Sequence, residues 1–135
     1  MTDKIKYINP EGLMKNPAFS QVVVTNGAGK TIYIGGQNSV NANREIVGKG
    51  NIAEQTEQIM KNLEIALESC QAGFDNLVKL NIYIVQGQDV LAAFQASQSY
   101  FAKAENPPAI TAVFVAGLGN PEFLLEIEAI AFVEE

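Results

Sequence analysis

The sequence predicts an α+β fold in which two amphipathic helices cover one face of a single β-sheet. Two observations support this prediction. Two long segments repeat apolar residues at helical spacing, and the segments around them are β-branched and bounded by turn residues. The predicted element order is β-β-β-α-β-α-β-β, within one domain of residues 1–135. A chain of this length can bury a core without disulfides or metals.

Three short strands are predicted before the first helix. Residues 4–8 (KIKYI) form an edge strand, and residues 20–27 (SQVVVTNG) form a second strand. The pair Asn26-Gly27 ends that strand and predicts a tight hairpin to a third strand over residues 30–36. Gly35-Gly36 closes the third strand, where the backbone must bend or approach another group closely.

The first predicted helix covers residues 52–72. Asn51 is a good N-cap, and Glu54 follows three residues later, which is the pattern of a capping box. Gly73 predicts the C-cap. Apolar residues at three- and four-residue intervals predict one buried stripe: Ile59, Leu63, Ala66, Leu67 and Cys70.

A strand, a second helix and two further strands complete the chain. The strands are predicted at residues 76–86, 110–117 and 124–133, and the helix begins at Asp89 and ends before Asn106. Its predicted apolar face consists of Val90, Leu91, Phe94, Ser97 and Phe101. The strands are apolar on both faces, although helices cover only one face. We therefore predict that further copies of the chain cover the other face, in a homo-oligomer.

Composition excludes several classes of function. The net charge is −6 and Arg44 is the only arginine, so no nucleic-acid partner is predicted. The absence of histidine excludes Ser-His-Asp and Cys-His chemistry and the usual zinc sites, and no metal site is predicted. Cys70 is the only cysteine, which fits a reducing compartment. Because no signal core or membrane-spanning run is found, we expect no membrane partner and a cytoplasmic location, or a compartment reached by a removed signal.

The last strand places two acids amid aliphatic side chains. Glu126 and Glu128 share one face with Ile130 and Phe132. Three interpretations are open: a solvated rim, a carboxylate that lines a cleft, or a structural acid with a partner.

Three motifs, in the right order, resemble the Rid/YjgF family of reactive-intermediate deaminases, also labelled endoribonuclease L-PSP. Residues 32–40 (IYIGGQNSV) resemble a strand that the family usually follows with Gly-Gln and an apolar pair. Residues 62–84 fit the family's central segment, and residues 108–131 (PAITAVFVAGLGNPEFLLEIEAIA) resemble its C-terminal signature. The resemblance implies a chorismate-mutase-like fold and a homotrimer whose sheets form a barrel, with small-molecule clefts between subunits. It also implies cofactor-free hydrolysis of 2-imino or 2-enamino acids.

The resemblance implies roles for individual residues. Glu126 falls on the glutamate that positions the attacking water, and Gly36 on a glycine whose backbone faces the substrate. Phe19 falls near the family's cleft tyrosine but has no hydroxyl. The implied substrate-binding residues are Phe19, Gly35, Gly36, Gln37, Ile110, Thr111 and Ala112.

One departure bears on the activity. Ile110 stands where the family has the arginine that binds the substrate carboxylate, and Phe114 replaces a frequent glutamate. The predicted ligand is therefore less acidic or more apolar, unless Arg44 reaches a neighbouring cleft. The chain is either a hydrolytic deaminase of reactive imines and enamines or a non-catalytic trimeric protein that binds or senses a small molecule. Ribonuclease action is disfavoured because the chain lacks histidine and is acidic.

Overall fold

The computed structural model describes residues 4–135, so residues 1–3 of the predicted domain lie outside the described part. The observed element order confirms the predicted one. The elements are β1 (Ile5–Ile8), β2 (Val22–Thr25), β3 (Gly29–Gln37), α1 (Ile52–Glu68), a 3₁₀ turn (Phe74–Asn76), β4 (Leu77–Val85), α2 (Val90–Phe101), β5 (Ala109–Val115) and β6 (Leu125–Glu134).

The main sheet has four strands in the order β3-β6-β4-β5. Strand β6 runs antiparallel to both β3 and β4, whereas β4 and β5 are parallel and are joined through α2. A parallel pair needs such a crossover, because the chain must return to the end of the sheet where the first strand began, and a tight turn cannot span that distance. Strands β3 and β5 therefore form the two opposite edges of this sheet.

The predicted hairpin between β2 and β3 is wrong, and so is the prediction of a single sheet. Strand β2 pairs with β1 in a separate two-stranded sheet. Just before β2, the Ser20 N–H donates to the Pro108 carbonyl at 3.0 Å, and Ser20 forms an isolated bridge with Ala109 of β5. Because β5 and β3 are opposite edges of the main sheet, these contacts hold the entry to β2 at the edge away from β3.

Helix α1 buries the predicted stripe against the sheet. Ile59, Leu63 and Leu67 are fully buried, and each contributes about 1.5–3 kcal/mol through burial of its side chain. The helix ends at Glu68 rather than at residue 72. Gln71, not Gly73, takes the left-handed conformation, with φ 56°, and the Ala72 N–H donates to the Leu67 carbonyl at 2.9 Å.

Helix α2 buries a stripe that agrees only in part with the predicted one. The predicted Ser97 is buried and the predicted Phe101 packs against the core. Ala93 and Tyr100 are also buried, whereas the predicted Val90, Leu91 and Phe94 are exposed. The small side chains of Ala93 and Ser97 let α2 approach its neighbours closely, and the Ser97 hydroxyl is satisfied by the Phe94 carbonyl at 2.7 Å. Hydrophobicity alone therefore predicted burial wrongly for Val90, Leu91 and Phe94.

The face of the main sheet opposite the helices is open within one chain. Along β6 the alternation is as predicted, since the core-facing residues are buried: Leu125, Ile127, Ala129 and Ala131. On the other face, Tyr33 of β3 is 77% exposed and Val113 of β5 is 43% exposed. Between residues 4 and 135, no helix is long and apolar enough to cross a membrane.

Candidate functional site

Glu126 and Gly36 form the tightest contact of the candidate site. A Cβ atom added at Gly36 would lie 2.2 Å from Oε2 of Glu126 and 2.8 Å from its Cδ. The carboxylate therefore occupies the space that any other side chain at position 36 would fill. The close approach predicted for Gly35-Gly36 is confirmed at Gly36, whereas a Cβ at Gly35 would meet no atom within 4 Å.

A β-bulge brings these two glycines to the carboxylate. The pairing of β3 with β6 shifts between Ile34, which is opposite Ala129, and Gln37, which is opposite Ile127. The extra residue interrupts the hydrogen-bond ladder and bends the edge strand. Gln37 stabilises the bulge, because its Nε2 donates to the Gly35 carbonyl at 3.1 Å. The peptide groups of the bulge, which lie next to Glu126, therefore depart from the regular hydrogen-bond pairing of β3 with β6.

Asn38 is a functional candidate that the sequence analysis missed. Its Nδ2 lies 3.2 Å from Oε1 of Glu126 and 3.2 Å from the Leu125 carbonyl. Within residues 4–135, Oε2 of Glu126 accepts no hydrogen bond from the protein. The carboxylate thus has one oxygen held by an amide and one oxygen available to a water or a ligand.

Glu128 has protein partners of its own. The Tyr83 hydroxyl donates to its Oε1 at 2.5 Å, and Asn81 Nδ2 donates to the same oxygen at 3.2 Å. The hydrogen bond to Glu128 is the main cause that raises the pKa of Tyr83, with partial burial and the charges of Glu128 and Glu126 as further causes. The two acids therefore differ in their surroundings: a tyrosine hydroxyl and an amide hold Oε1 of Glu128, whereas one amide holds Oε1 of Glu126 and its Oε2 lies against Gly36.

The remaining predicted residues lie at the other edge of the sheet, on or beside β5. Ile110 and Ala112 are paired with Leu80 and Ile82, so their side chains are on the helix-covered face. Thr111 is on the open face, where its Oγ1 accepts a hydrogen bond from Lys79 Nζ at 2.7 Å. Phe19, half-buried, immediately precedes the residue that bridges to the start of β5.

The structure thus places the predicted site residues in two groups. The carboxylate half-site contains the predicted Gly35, Gly36, Gln37 and Glu126 together with Asn38, which was not predicted. The β5 half-site contains the predicted Phe19, Ile110, Thr111 and Ala112. Strands β6 and β5 are separated by β4, which puts the half-sites roughly 10 Å apart across the sheet. The Glu126 and Ile110 side chains also point to opposite faces, so one chain does not bring them together.

Two surface cavities lie elsewhere. One of about 270 Å³ is lined by residues such as Phe74 and Lys103, and one of about 460 Å³ by residues such as Glu57 and Ala96. Neither contains Glu126. Among residues 4–135, no three potential metal ligands of the His, Cys, Asp and Glu types cluster together. Arg44 is exposed in the loop after β3, with a left-handed backbone at φ 65°.

The chain is similar to known proteins over most of its length. Residues 13–133 match the family model described as Endoribonuclease L-PSP. A 2-iminobutanoate/2-iminopropanoate deaminase of Rattus norvegicus is 32% identical over 114 residues, which are 84% of this chain and 79% of the relative. AldR of Lactococcus lactis, whose description is that of a proposed regulator, is also similar. It is 40% identical over 104 residues, which are 76% of this chain and 79% of the relative.

Solved structures show the same fold. A Rid-family protein of Yersinia pestis, described as of unknown function, superposes with a TM-score of 0.86. It is 32% identical, and the match covers 97% of this chain and 100% of that chain.

Proposed function

Because the chain belongs to the Rid/YjgF (endoribonuclease L-PSP) family, with its chorismate-mutase-like fold, we propose that it is a hydrolytic deaminase of reactive imines or enamines. Glu126 is the residue that activates water in this proposal. The observation that carries it is the state of the Glu126 carboxylate: one oxygen is held by Asn38, and the other is free above Gly36. A carboxylate fixed in this way can accept a proton from water at a defined position.

The active site forms between neighbouring copies of a homotrimer in this proposal. The carboxylate half-site lies at the β3 side of the sheet and the β5 half-site at the opposite edge. Contacts that join one edge to the opposite edge of the next copy are head-to-tail, and such contacts form a ring when the rotation between copies closes. The open sheet face, with Tyr33 and Val113 exposed, then turns toward the centre of the ring.

The reaction consumes one water for each imine. Glu126 takes a proton from the water as the water oxygen attacks the imine carbon, and the electron pair of the C=N bond moves to nitrogen, which takes up a proton from solvent. The resulting carbinolamine breaks its C–N bond as the proton on Glu126 passes to the departing nitrogen, and the hydroxyl group forms the carbonyl by releasing its proton to solvent. The products are a carbonyl compound and ammonia, and Glu126 is regenerated as a carboxylate.

The ligand lacks a carboxylate next to the reacting carbon, because Ile110 stands in place of an arginine and the Lys79 ammonium beside Thr111 lies on the opposite strand face. Ile110 and Ala112 are apolar, and Phe114 on the same strand face is 58% exposed. An arginine at position 110 would give charge-assisted hydrogen bonds, each of about 1.5–3 kcal/mol, and isoleucine gives none. A neutral imine with an apolar substituent loses no such contact here.

The proposal is tested by ammonia release from freshly generated 2-iminobutyrate and from neutral ketimines. We expect wild type to hydrolyse neutral imines faster than 2-iminobutyrate, and Glu126→Gln to be no faster than the uncatalysed reaction. Ile110→Arg is the matched gain-of-function variant, and it should shift the preference toward 2-iminobutyrate. A wild-type rate equal to that of Glu126→Gln on every imine would reject the deaminase.

A second candidate is a non-catalytic protein that binds or senses a small molecule. The replacement of the carboxylate-binding arginine by Ile110 and the 40% identity to AldR favour it. It predicts that ligands raise the melting temperature of the chain without forming a product. Product formation that depends on Glu126 would exclude this alternative.

A further inference from the structure

Asn38 holds Glu126 at two points. Its side-chain Nδ2 donates to the Leu125 carbonyl and to Oε1 of Glu126, each at 3.2 Å between heavy atoms. The Leu125 carbonyl belongs to the peptide bond that precedes Glu126. The same amide group therefore bonds to the main chain and to the side chain at Glu126, which ties the carboxylate to the backbone of β6.

We propose that Asn38 is a positioning residue, which orients Glu126 so that only Oε2 is offered to the attacking water. This inference deepens the proposed function and rests on it. The absence of a side chain at Gly36 leaves the space that Oε2 occupies, and the Asn38 amide prevents the carboxylate from rotating about its last bond. A hydrogen bond to an ionised group is stronger than one between neutral groups, so it can hold this orientation.

The position of Asn38 is itself fixed by α1. Asn62 of α1 donates through Nδ2 to the carbonyls of Asn38, at 3.1 Å, and Val40, at 3.0 Å. Gln58, one turn earlier, donates to Oδ1 of Asn62 at 2.9 Å and so orients that amide. Because α1 is anchored by its fully buried stripe, this chain of amides links a rigid element to the carboxylate.

The segment that leads into Glu126 is attached to the same helix. Gln55 is fully buried, and its Nε2 donates to the carbonyls of Gly48, at 3.1 Å, and Glu122, at 2.9 Å. Its Oε1 accepts from the Leu124 N–H at 2.9 Å. Both segments that meet at Glu126 are therefore positioned by amide side chains of α1.

Asn38 and Ser39 follow Gln37, and their side chains have different partners. Ser39 is fully buried and donates to the Val47 carbonyl at 2.6 Å, so Asn38 is the residue of the pair that reaches the carboxylate.

Steady-state kinetics with Asn38→Leu is the first test, on the imine that wild type hydrolyses fastest. Loss of a hydrogen bond to an ionised group predicts a kcat lower by about 10–100-fold, with KM changed less than about 2-fold. Asn38→Asp should be slower still, because it places a like charge beside Glu126. Asn43→Leu is the matched control: Asn43 lies exposed in the same loop, and its rate should equal that of wild type.

A readout independent of turnover is the crystal structure of Asn38→Leu beside that of wild type. We expect one orientation of the Glu126 carboxylate in wild type. In the variant we expect the carboxylate to be rotated or to occupy two orientations. Asn38→Ser, which is smaller and cannot reach Glu126, serves if the leucine variant does not fold. An unchanged carboxylate, or an unchanged kcat, would overturn the inference. Absence of turnover by wild type on every imine would instead overturn the proposed function, and the two crystal structures would still decide the role of Asn38.

Discussion

Gly36 and Glu126 share one small volume, and this contact leads to a sharp prediction. In Gly36→Ala, the new Cβ would lie 2.2 Å from Oε2, and the flexible Glu126 side chain would move rather than the backbone. Displacement of a catalytic group by about 1 Å costs on the order of 100-fold in rate. We expect that loss of kcat together with a change of less than about 1 kcal/mol in the free energy of unfolding, measured by urea denaturation.

The neighbouring glycine is the control for this prediction. A Cβ at Gly35 would meet nothing within 4 Å, so Gly35→Ala should retain its stability and lose much less kcat than Gly36→Ala. Equal losses in the two variants would show that the bulge needs glycine for its backbone conformation and not for the space beside Glu126.

At the scale of residues, the sequence indicated Glu126 and Gly36 because each falls in a motif that resembles one of the Rid/YjgF family. It did not indicate Asn38, because the partner of Asn38 is 88 residues away along the chain. In sequence Asn38 is one turn-forming residue in a polar loop. Only the pairing of β3 with β6 shows that this loop starts beside Glu126.

At the scale of elements, the packing of α2 against α1 gives a prediction about pH. Burial, followed by the hydrogen bond to Glu57, raises the pKa of Tyr100 to about 12. An unfolded tyrosine has a pKa of about 10, so the folded state keeps the phenol proton that the unfolded state loses. The contribution of Tyr100 to stability is therefore full below pH 10 and is lost as the pH rises through 12.

The expected loss is about 2–3 kcal/mol between pH 9 and pH 12, measured by urea denaturation. Tyr100→Phe is the matched variant, since it keeps the ring and removes the ionisable hydroxyl. It should be less stable than wild type at pH 8 and should approach wild type as the pH rises. Parallel pH profiles for the two proteins would contradict the shifted pKa.

Secondary structure was largely predictable at this scale, and strand pairing was not. The stripe of α1 and the alternation of β6 follow from local periodicity, which these elements obey. The pairing of β2 with β1 depends on contacts near Ser20 and Pro108 that are far apart along the chain. The buried face of α2 depends on close packing of Ala93 and on burial of Tyr100, neither of which the hydrophobicity pattern indicated.

At the scale of the whole molecule, the open sheet face predicts self-association. We expect wild type to sediment at micromolar concentration with three times the 14.6 kDa mass of the chain. Val113→Asp would place a charge on the open face and should produce single chains, because burial of an unpaired carboxylate is costly. Ile65→Asp is the control, since Ile65 is 65% exposed on α1, away from this face.

Single chains of wild type in sedimentation would contradict the proposed trimer. Dissociation caused equally by Ile65→Asp would indicate that copies associate through the helices instead. Either result would also mean that the carboxylate half-site does not meet the β5 half-site of another copy. The proposed active site would then lack the residues of the β5 half-site.

The shared space of Gly36 and Glu126 limits the order in which this chain can accept changes during evolution. A larger residue at position 36 leaves the fold intact but disables the carboxylate, so it is tolerated only if the acid has first become shorter or unnecessary. Shortening Glu126 opens a gap that a methyl group at position 36 could later fill. In descendants of this chain we therefore expect substitutions at positions 36 and 126 to occur together, with the change at position 126 coming first.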